Sequence, residues 1–286
     1  MFIIVEKQIL SSAITKFVLH APYIARKSKA GNFVILRVNE TGERIPLTIV
    51  DGNAQEGTIT IIVQSVGKTT MLLSRMKQGE YLLDVAGPLG NPTPIEQFGT
   101  VVCIGGGVGT AEVFPIARAL KDAGNRVITI VGARSKNLII LEDELRSFCD
   151  KVVIATEDGS AGIKGRVTDA LQAYMSSNGH LGAVYAIGPI PMMKAVAEFT
   201  RPTAIPTFVS LNPLMMDGTG MCGACRVTVG GVMKFACVDG PEFDAHAVDF
   251  DELIARNRTY HDLEQLSREK FERELETEGT TPCQTR

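Results

Sequence analysis

The chain has little that would mark a nucleic-acid binder, a membrane protein or a disulfide-stapled secreted domain. With 29 Lys+Arg against 32 Asp+Glu, the formal charge is −3, whereas a nucleic-acid interface needs a basic footprint. No apolar run approaches the roughly 20 residues that span a bilayer. The opening Met1-Phe-Ile-Ile-Val-Glu-Lys7 meets charge too early for the apolar stretch of a secretion signal, and it reads as a strand. Six cysteines are present, but Cys103, Cys149 and Cys283 are scattered without a pairing pattern. A disulfide framework is therefore not expected, and a reducing cytoplasm is. The four histidines, His20, His180, His246 and His261, are too dispersed to form a metal or catalytic cluster.

What is present is organised around Asp217-Gly-Thr-Gly-Met-Cys222-Gly-Ala-Cys225, answered by Cys237. Plant-type [2Fe–2S] loops read C-x4-C-x2-C…C, and Asp217 stands at the x4 position of the first cysteine. Gly218, Gly220, Gly223 and Ala224 keep bulk away, so backbone N–H groups could close around cluster sulfides. The following Arg226–Phe235 carries a Gly-Gly turn, which predicts a hairpin that brings Cys237 back. A zinc site with Cys and Asp ligands is the alternative, although zinc sites usually come as two separated Cys-x2-Cys knuckles. Asp217, Cys222, Cys225 and Cys237 are the candidate metal ligands.

The length of 286 residues predicts two or three domains. Hydrophobic content of 45% with 28 glycines suits an α/β protein. Three segments are expected: 1–97, 98–210 and 211–286. In the first, Thr15–Leu19, Asn32–Val38 and Thr58–Val63 are strand-length β-branched and aromatic runs separated by polar loops, which predicts a small antiparallel barrel. Two stretches interrupt this pattern. One is Glu43-Arg44-Ile-Pro46-Leu47-Thr48. The other is Val66-Gly67-Lys68-Thr69-Thr70 entering a helix, with Thr69 or Thr70 as cap and helix N–H groups free to face an anion. On these five residues alone, an ordinary turn with a helix cap is the favoured reading.

From Thr100 the texture changes to strand, glycine turn, helix and strand. Val101-Val-Cys-Ile-Gly-Gly106-Gly107-Val108-Gly109-Thr110 places glycines where a pyrophosphate meets a helix N-terminus, with Thr110 at the position of the usual third glycine. Later strands end in Gly132-Ala-Arg134, Thr156-Glu157-Asp158 and Ile187-Gly188-Pro189, and ligands of open α/β sheets bind outside such carboxyl ends. The second strand lacks a terminal acid and has Arg134 nearby, which could receive a 2′-phosphate, so NAD(H) and NADP(H) both stay open. Glu157 and Asp158 could equally be solvated turn residues. Beyond Cys237, Pro241–Phe250 reads as an acidic loop. Asp251–Glu276 reads as helix broken near Arg258–His261, packing on its own domain or docking a partner.

The Arg44…Thr48 and Gly67–Thr70 motifs, the Gly106–Thr110 loop and Gly-Pro at Gly188 together resemble the ferredoxin-NADP⁺ reductase superfamily. The resemblance implies a multidomain fold: a flavin barrel, a Rossmann-like nucleotide domain and a small iron–sulfur subdomain with a helical tail. It places Arg44, Pro46, Leu47 and Thr48 at the phosphate and ring of FAD, although Arg44 stands four residues before Thr48 where the common pattern has three. It places Gly67, Lys68, Thr69 and Thr70 at the pyrophosphate, and Gly106, Gly107, Val108, Gly109, Thr110, Arg134, Asp158 and Gly188 at the pyridine nucleotide. Two families share the whole module order. One is the electron-transfer subunit of bacterial dihydroorotate dehydrogenase. The other is the small subunit of electron-bifurcating NADH-dependent reduced ferredoxin:NADP⁺ oxidoreductase. Asp217 and the long tail are similar to the second. That family implies a heterodimer with a larger subunit carrying a second flavin and [4Fe–4S] clusters, and with ferredoxin reached through the complex. No acid–base side chain need be catalytic, and neither nucleic acid nor membrane is an expected partner.

Overall fold

The computed structural model describes residues 2–280. The first segment contains eight strands: β1 (Phe2–Ser11), β2 (Ile14–His20), β3 (Phe33–Arg37), β4 (Ile45–Thr48), β5 (Asp51–Asn53), β6 (Thr58–Gln64), β7 (Tyr81–Leu82) and β8 (Asp84–Leu89). They form two antiparallel sheets, ordered β5-β6-β2-β1-β7 and β4-β3-β8. Alternation explains β2: Phe17 and Leu19 are fully buried while Lys16 and Val18 are only partly covered. Phe17, Leu19, Ile59 and Ile61 from one sheet share a core with Val34, Leu36 and Val85 from the other. The expected barrel is present. Helix α1 (Pro22–Ala25) is a single turn, and α2 (Lys68–Arg75) is anchored in the barrel by Leu73.

The middle segment is a doubly wound sheet. Its elements are β9 (Thr100–Gly106), α3 (Gly109–Asp122), β10 (Arg126–Ala133), α4 (Glu142–Arg146), β11 (Lys151–Thr156), β12 (Ile163–Lys164), α5 (Val167–Asn178), β13 (Ala183–Ile187), α6 (Ile190–Thr200) and β14 (Thr207–Ser210). The order β12-β11-β10-β9-β13-β14 is parallel throughout. The chain therefore winds one way from β9 through β10 and the other way through β13. That reversal opens a crevice above the carboxyl ends of β9 and β13.

The last segment forms the hairpin β15 (Arg226–Val229) and β16 (Val232–Phe235), then α7 (Ala236–Asp239), β17 (Glu242–Asp244), α8 (Phe250–Asn257) and α9 (His261–Thr280). The hairpin turns on Gly230 and Gly231, both at positive φ, as a tight two-residue turn requires. One expectation is corrected here. The stretch after Pro241 is not all loop: Glu242–Asp244 pairs antiparallel with β14 and adds a seventh strand to the nucleotide sheet. Three residues flanked by acids carry too weak a periodicity to read as a strand, and only pairing with β14 makes them one. The helical tail breaks where the sequence predicts, between α8 and α9.

The three segments are clasped together. The backbone N–H of Asn91 donates to Gly240 (2.7 Å), and its side-chain amide donates to Val238 (3.0 Å). Thr93 Oγ1 donates to Glu242 Oε1 at 2.5 Å. Phe33 and Ile35 of the barrel share one core with Met215, Cys225, Cys237 and Phe243.

Candidate cofactor sites

In the barrel, the two interrupting stretches come together. β4 lies at the edge of its three-stranded sheet, and all four of its residues, including Pro46, Leu47 and Thr48, are only half-buried. A half-open face on an otherwise buried barrel suits a planar ring. Arg44 precedes the strand and is exposed. Glu43, which the sequence did not single out, accepts a hydrogen bond from Thr69 Oγ1 at 2.7 Å and so ties β4 to the start of α2. Neither threonine is the N-cap expected from the sequence, because Gly67 holds that place; Thr70, the third helical residue, reaches back so that its Oγ1 accepts from the N–H groups of Val66 and Gly67, each at 3.0 Å. Lys68 begins the helix, so its charge adds to the positive end of α2. A Cβ built on Gly67 meets no atom within 4 Å. The turn thus faces open space, and Gly67, Lys68, Thr69 and Thr70 fit an anionic diphosphate.

The nucleotide crevice is shaped by close backbone approach. A Cβ on Gly106 would strike Met192, and one on Gly109 would strike the Ile187 carbonyl. One on Gly188 would lie 3.1 Å from Gly106 Cα, so the β9–α3 and β13–α6 turns nearly touch. Gly107 is at φ +58 with nothing within 4 Å of its Cβ direction, so it borders open space. Val108 is the N-cap of α3 and makes no side-chain cap bond, and the N–H groups of Thr110 and Ala111 donate back to the carbonyls of Gly107 (3.2 Å) and Val108 (2.9 Å). Thr110 differs from the sequence expectation in its manner of acting. Its side chain is fully buried against Gly105, and Oγ1 has no hydrogen-bond partner among the described residues. It therefore fills the close helix–strand contact rather than presenting a hydroxyl to solvent.

Arg134 follows β10 at the rim, exposed. The Asp158 carboxylate accepts from Ser160 Oγ (2.6 Å) and Ser160 N–H (2.9 Å), bonds that hold its pKa below the ordinary value. This carboxylate is engaged by its own turn. Glu112, in the first turn of α3, is pushed up to about 7 by burial.

In the cluster segment, the sulfurs of Cys225 and Cys237 lie 3.2 Å apart, both buried. Burial, and then the neighbouring Cys225, pushes the Cys237 thiol up to about 12. Cys222 is exposed. Asp217 is not part of that thiol pair. Its Oδ1 accepts from Thr219 N–H at 2.9 Å and its Oδ2 from Cys222 N–H at 3.1 Å, and these bonds, Thr219 first, lower its pKa. Among the described residues, no three His, Cys, Asp or Glu side chains meet as a ligand set. The donor chemistry nonetheless fits an iron–sulfur cluster: Asp217, Cys222 and Cys225 lie on one small-residue loop, and the hairpin returns Cys237 on α7 to within 3.2 Å of Cys225. Cys283 lies outside the described residues.

The loop also touches the barrel. Gly218, at φ +75, is so close to Leu89 and Ile35 that a Cβ would come within 2.6 and 3.0 Å of their side chains. Helix α9 contributes what the sequence did not reveal. It packs on α2, and His261 and Arg268 line the same cleft as Gly67–Thr70. No sequence signal could have found that contact, because periodicity says which face is apolar and not where it docks.

Comparisons with known proteins agree with this layout. A model of the oxidoreductase FAD-binding domain matches residues 1–93. The oxidoreductase NAD-binding domain matches 103–198, and the iron-sulfur cluster binding domain of dihydroorotate dehydrogenase B matches 212–249. A Thermotoga maritima protein described as a dihydroorotate dehydrogenase B (NAD(+)) electron transfer subunit homolog is 48% identical over 276 residues, 96% of each chain. The electron transfer subunit of dihydroorotate dehydrogenase B from Geobacillus thermodenitrificans is 33% identical over 86% of this chain and 96% of its own. Among solved structures, a chain of an NADH-dependent reduced ferredoxin-NADP oxidoreductase, studied for flavin-based electron bifurcation, is 47% identical. It superposes with a TM-score of 0.89 over 95% of this chain and 98% of that one. The chain belongs to the family of dihydroorotate dehydrogenase B electron transfer subunits and their homologues, oxidoreductases that join an FAD-binding barrel, an NAD-binding domain and an iron–sulfur domain.

Proposed function

We propose that this chain is the small, NAD(P)H-linked subunit of a ferredoxin:NADP⁺ oxidoreductase of the electron-bifurcating type. It would exchange hydride with NAD(P)H and pass single electrons to a larger flavin- and [4Fe–4S]-bearing subunit. The observation that carries this reading is the contact of the cluster loop with the flavin barrel, where Gly218 packs on Leu89 and Ile35. Flavin exchanges electrons in pairs with nicotinamide and singly with a [2Fe–2S] cluster, so the two groups must be neighbours. The full-length similarity to the bifurcating enzyme's chain supports it further. The dihydroorotate dehydrogenase subunit of Geobacillus thermodenitrificans is matched over 96% of its length by only 86% of this chain.

In this reading the residues act by binding and placement. Lys68 and the α2 N-terminus neutralise the FAD diphosphate, Thr70 and Thr69 fix the turn, and Arg44, Pro46, Leu47 and Thr48 border the ring. Gly106, Gly107, Val108 and Gly109 let the second pyrophosphate approach α3. Thr110 and Gly188 set the width of that crevice, with Arg134 and Asp158 at its rim. Cys222, Cys225, Cys237 and Asp217 hold the cluster, Asp217 turning from its loop N–H groups toward iron. The segments 1–97, 98–210 and 211–286 serve as flavin, nucleotide and cluster units, with β17 of the third built into the sheet of the second.

No helix among the described residues is long and apolar enough to cross a membrane, and the described cysteines are free thiols. We place the protein in the reducing cytoplasm. Purification from the native host tests the reading: the chain should co-elute with a larger flavin- and [4Fe–4S]-containing subunit, and the complex should couple NADPH oxidation to reduction of ferredoxin and NAD⁺. Co-elution with a dihydroorotate-oxidising subunit would replace it.

A further inference from the structure

The loop that carries Asp217, Cys222 and Cys225 is held from outside by two half-buried arginines. Arg226, the first residue of β15, donates from Nη1 to the Gly223 carbonyl at 2.8 Å. Arg256, in the last turn of α8, donates from Nη2 to the Ala224 carbonyl at 3.2 Å. Gly223 and Ala224 are the residues between Cys222 and Cys225, so both guanidiniums grip the short turn that joins these thiols. Each arginine is built into place. Arg226 stands opposite Phe235 in the hairpin, and a Cβ on Gly223 would come within 3.0 Å of its Nη1, so glycine leaves the guanidinium room. Arg256 lies one helical turn beyond Leu253, which is buried in the same apolar cluster as Cys225 and Cys237. Asp249 caps that helix by accepting from the Glu252 N–H at 2.9 Å. The matched iron-sulfur domain ends at residue 249, so Arg256 comes from beyond it.

The peptides of this turn are trans, and a trans peptide points its carbonyl and its N–H in opposite directions. Holding the Gly223 and Ala224 carbonyls on the arginine side turns the N–H groups of Ala224 and Cys225 the other way. Neither N–H has an acceptor among the described residues. Among those residues, no carboxylate pairs with either guanidinium. Three thiolates and a carboxylate would bring negative charge to the same place, and reduction of a cluster adds more. The potential of such a cluster depends on its net charge and on hydrogen bonds to its sulfurs. We propose that Arg226 and Arg256 are positioning residues for the iron–sulfur cluster. They turn the Ala224 and Cys225 N–H groups toward the metal side of the loop, and their charge favours the reduced form. This rests on the reading of Asp217, Cys222, Cys225 and Cys237 as the cluster ligands, and it gives α8 a task in electron transfer.

The test is an anaerobic dye-mediated titration of the full chain, read by EPR on protein assayed at two irons per chain. Arg226→Met and Arg256→Met keep an apolar stem and remove the charge. Each should make reduction of the cluster about tenfold less favourable, a fall of about 59 mV for one electron. Arg256→Lys keeps the charge and should stay within about twofold of the wild type. So should Arg258→Met, which removes an exposed cation at the end of the same helix. Unchanged potentials in both methionine variants at full iron content would overturn the proposal. A tenfold loss in Arg256→Lys would also overturn it, by tracing the effect to packing of the loop. If a methionine variant does not hold two irons, the lysine variant decides by the same two results. A wild-type chain that binds zinc in place of iron would remove the cluster reading itself, whereas an intact cluster with unmoved potentials removes only the role given to the arginines.

Discussion

Glu242 sets a pH dependence that can be worked out from its surroundings. It sits on β17 where the barrel, the nucleotide sheet and the cluster segment meet. Oε1 accepts from Thr93 at 2.5 Å, while Oε2 is buried with no partner among the described residues. Burial pushes the carboxyl from 4.5 up to about 7, against the opposing pull of the Thr93 bond. At about 1.4 kcal/mol per tenfold in proton affinity, the ionised form is disfavoured in the folded state by about 3 kcal/mol. The sign follows from linkage: the folded chain binds the proton more tightly than the unfolded one. No cost applies below pH 4.5. It grows from there to about pH 7 and is complete above, so stability falls as pH rises through this window. Glu242→Gln keeps an acceptor for Thr93 and cannot ionise. Glu112, also pushed up to about 7 by burial, contributes the same trend to both proteins, so the difference between them isolates Glu242. Thermal unfolding at pH 5 and pH 8 reads it: the melting points should nearly coincide at pH 5, with the variant higher at pH 8 by about 5–10 °C. An equal difference at the two pH values would refute the reasoning.

Three further predictions concern the cofactor residues. Gly107→Val should leave FAD bound but slow NAD(P)H-driven flavin reduction by about 10²-fold in stopped-flow, since bulk at this open, positive-φ position displaces the pyrophosphate. Arg134→Ala should raise the Kd for NADPH about tenfold more than that for NADH if the guanidinium meets the 2′-phosphate, and equal effects in a binding titration remove it from that role. Asp217→Cys should keep iron content and shift the cluster potential, whereas Asp217→Ala should lose iron or give an altered EPR signal. A wild-type signal in Asp217→Ala would show that the loop-capping bonds to Thr219 and Cys222 are the whole of its function.

The sequence carried most of this design because the relevant features are local. Glycines at a strand–helix junction, a threonine three residues into a helix and cysteines two apart are all read within one turn of chain. Gly67–Thr70 and Gly106–Gly109 therefore lie where their neighbours predict. What stayed hidden depends on distant pairing. Glu242 looks like one acid among several until β14 makes it an edge strand and Thr93 covers it. Glu43 looks like a loop charge until Thr69 finds it across the barrel. Thr110 reads as a nucleotide contact in the motif, but close packing on Gly105 turns its side chain inward. Arg268 has no motif at all, and only the docking of α9 on α2 gives it a cleft to face.

The central claim is that one chain carries hydride chemistry and single-electron transfer on adjacent cofactors. Anaerobic titration of the purified chain with NADH or NADPH, followed by visible absorption and low-temperature EPR, tests it most directly. The account predicts bleaching of a bound flavin together with a [2Fe–2S] signal approaching one spin per chain. Flavin bleaching without any cluster signal, in protein shown to hold two irons per chain, would contradict it.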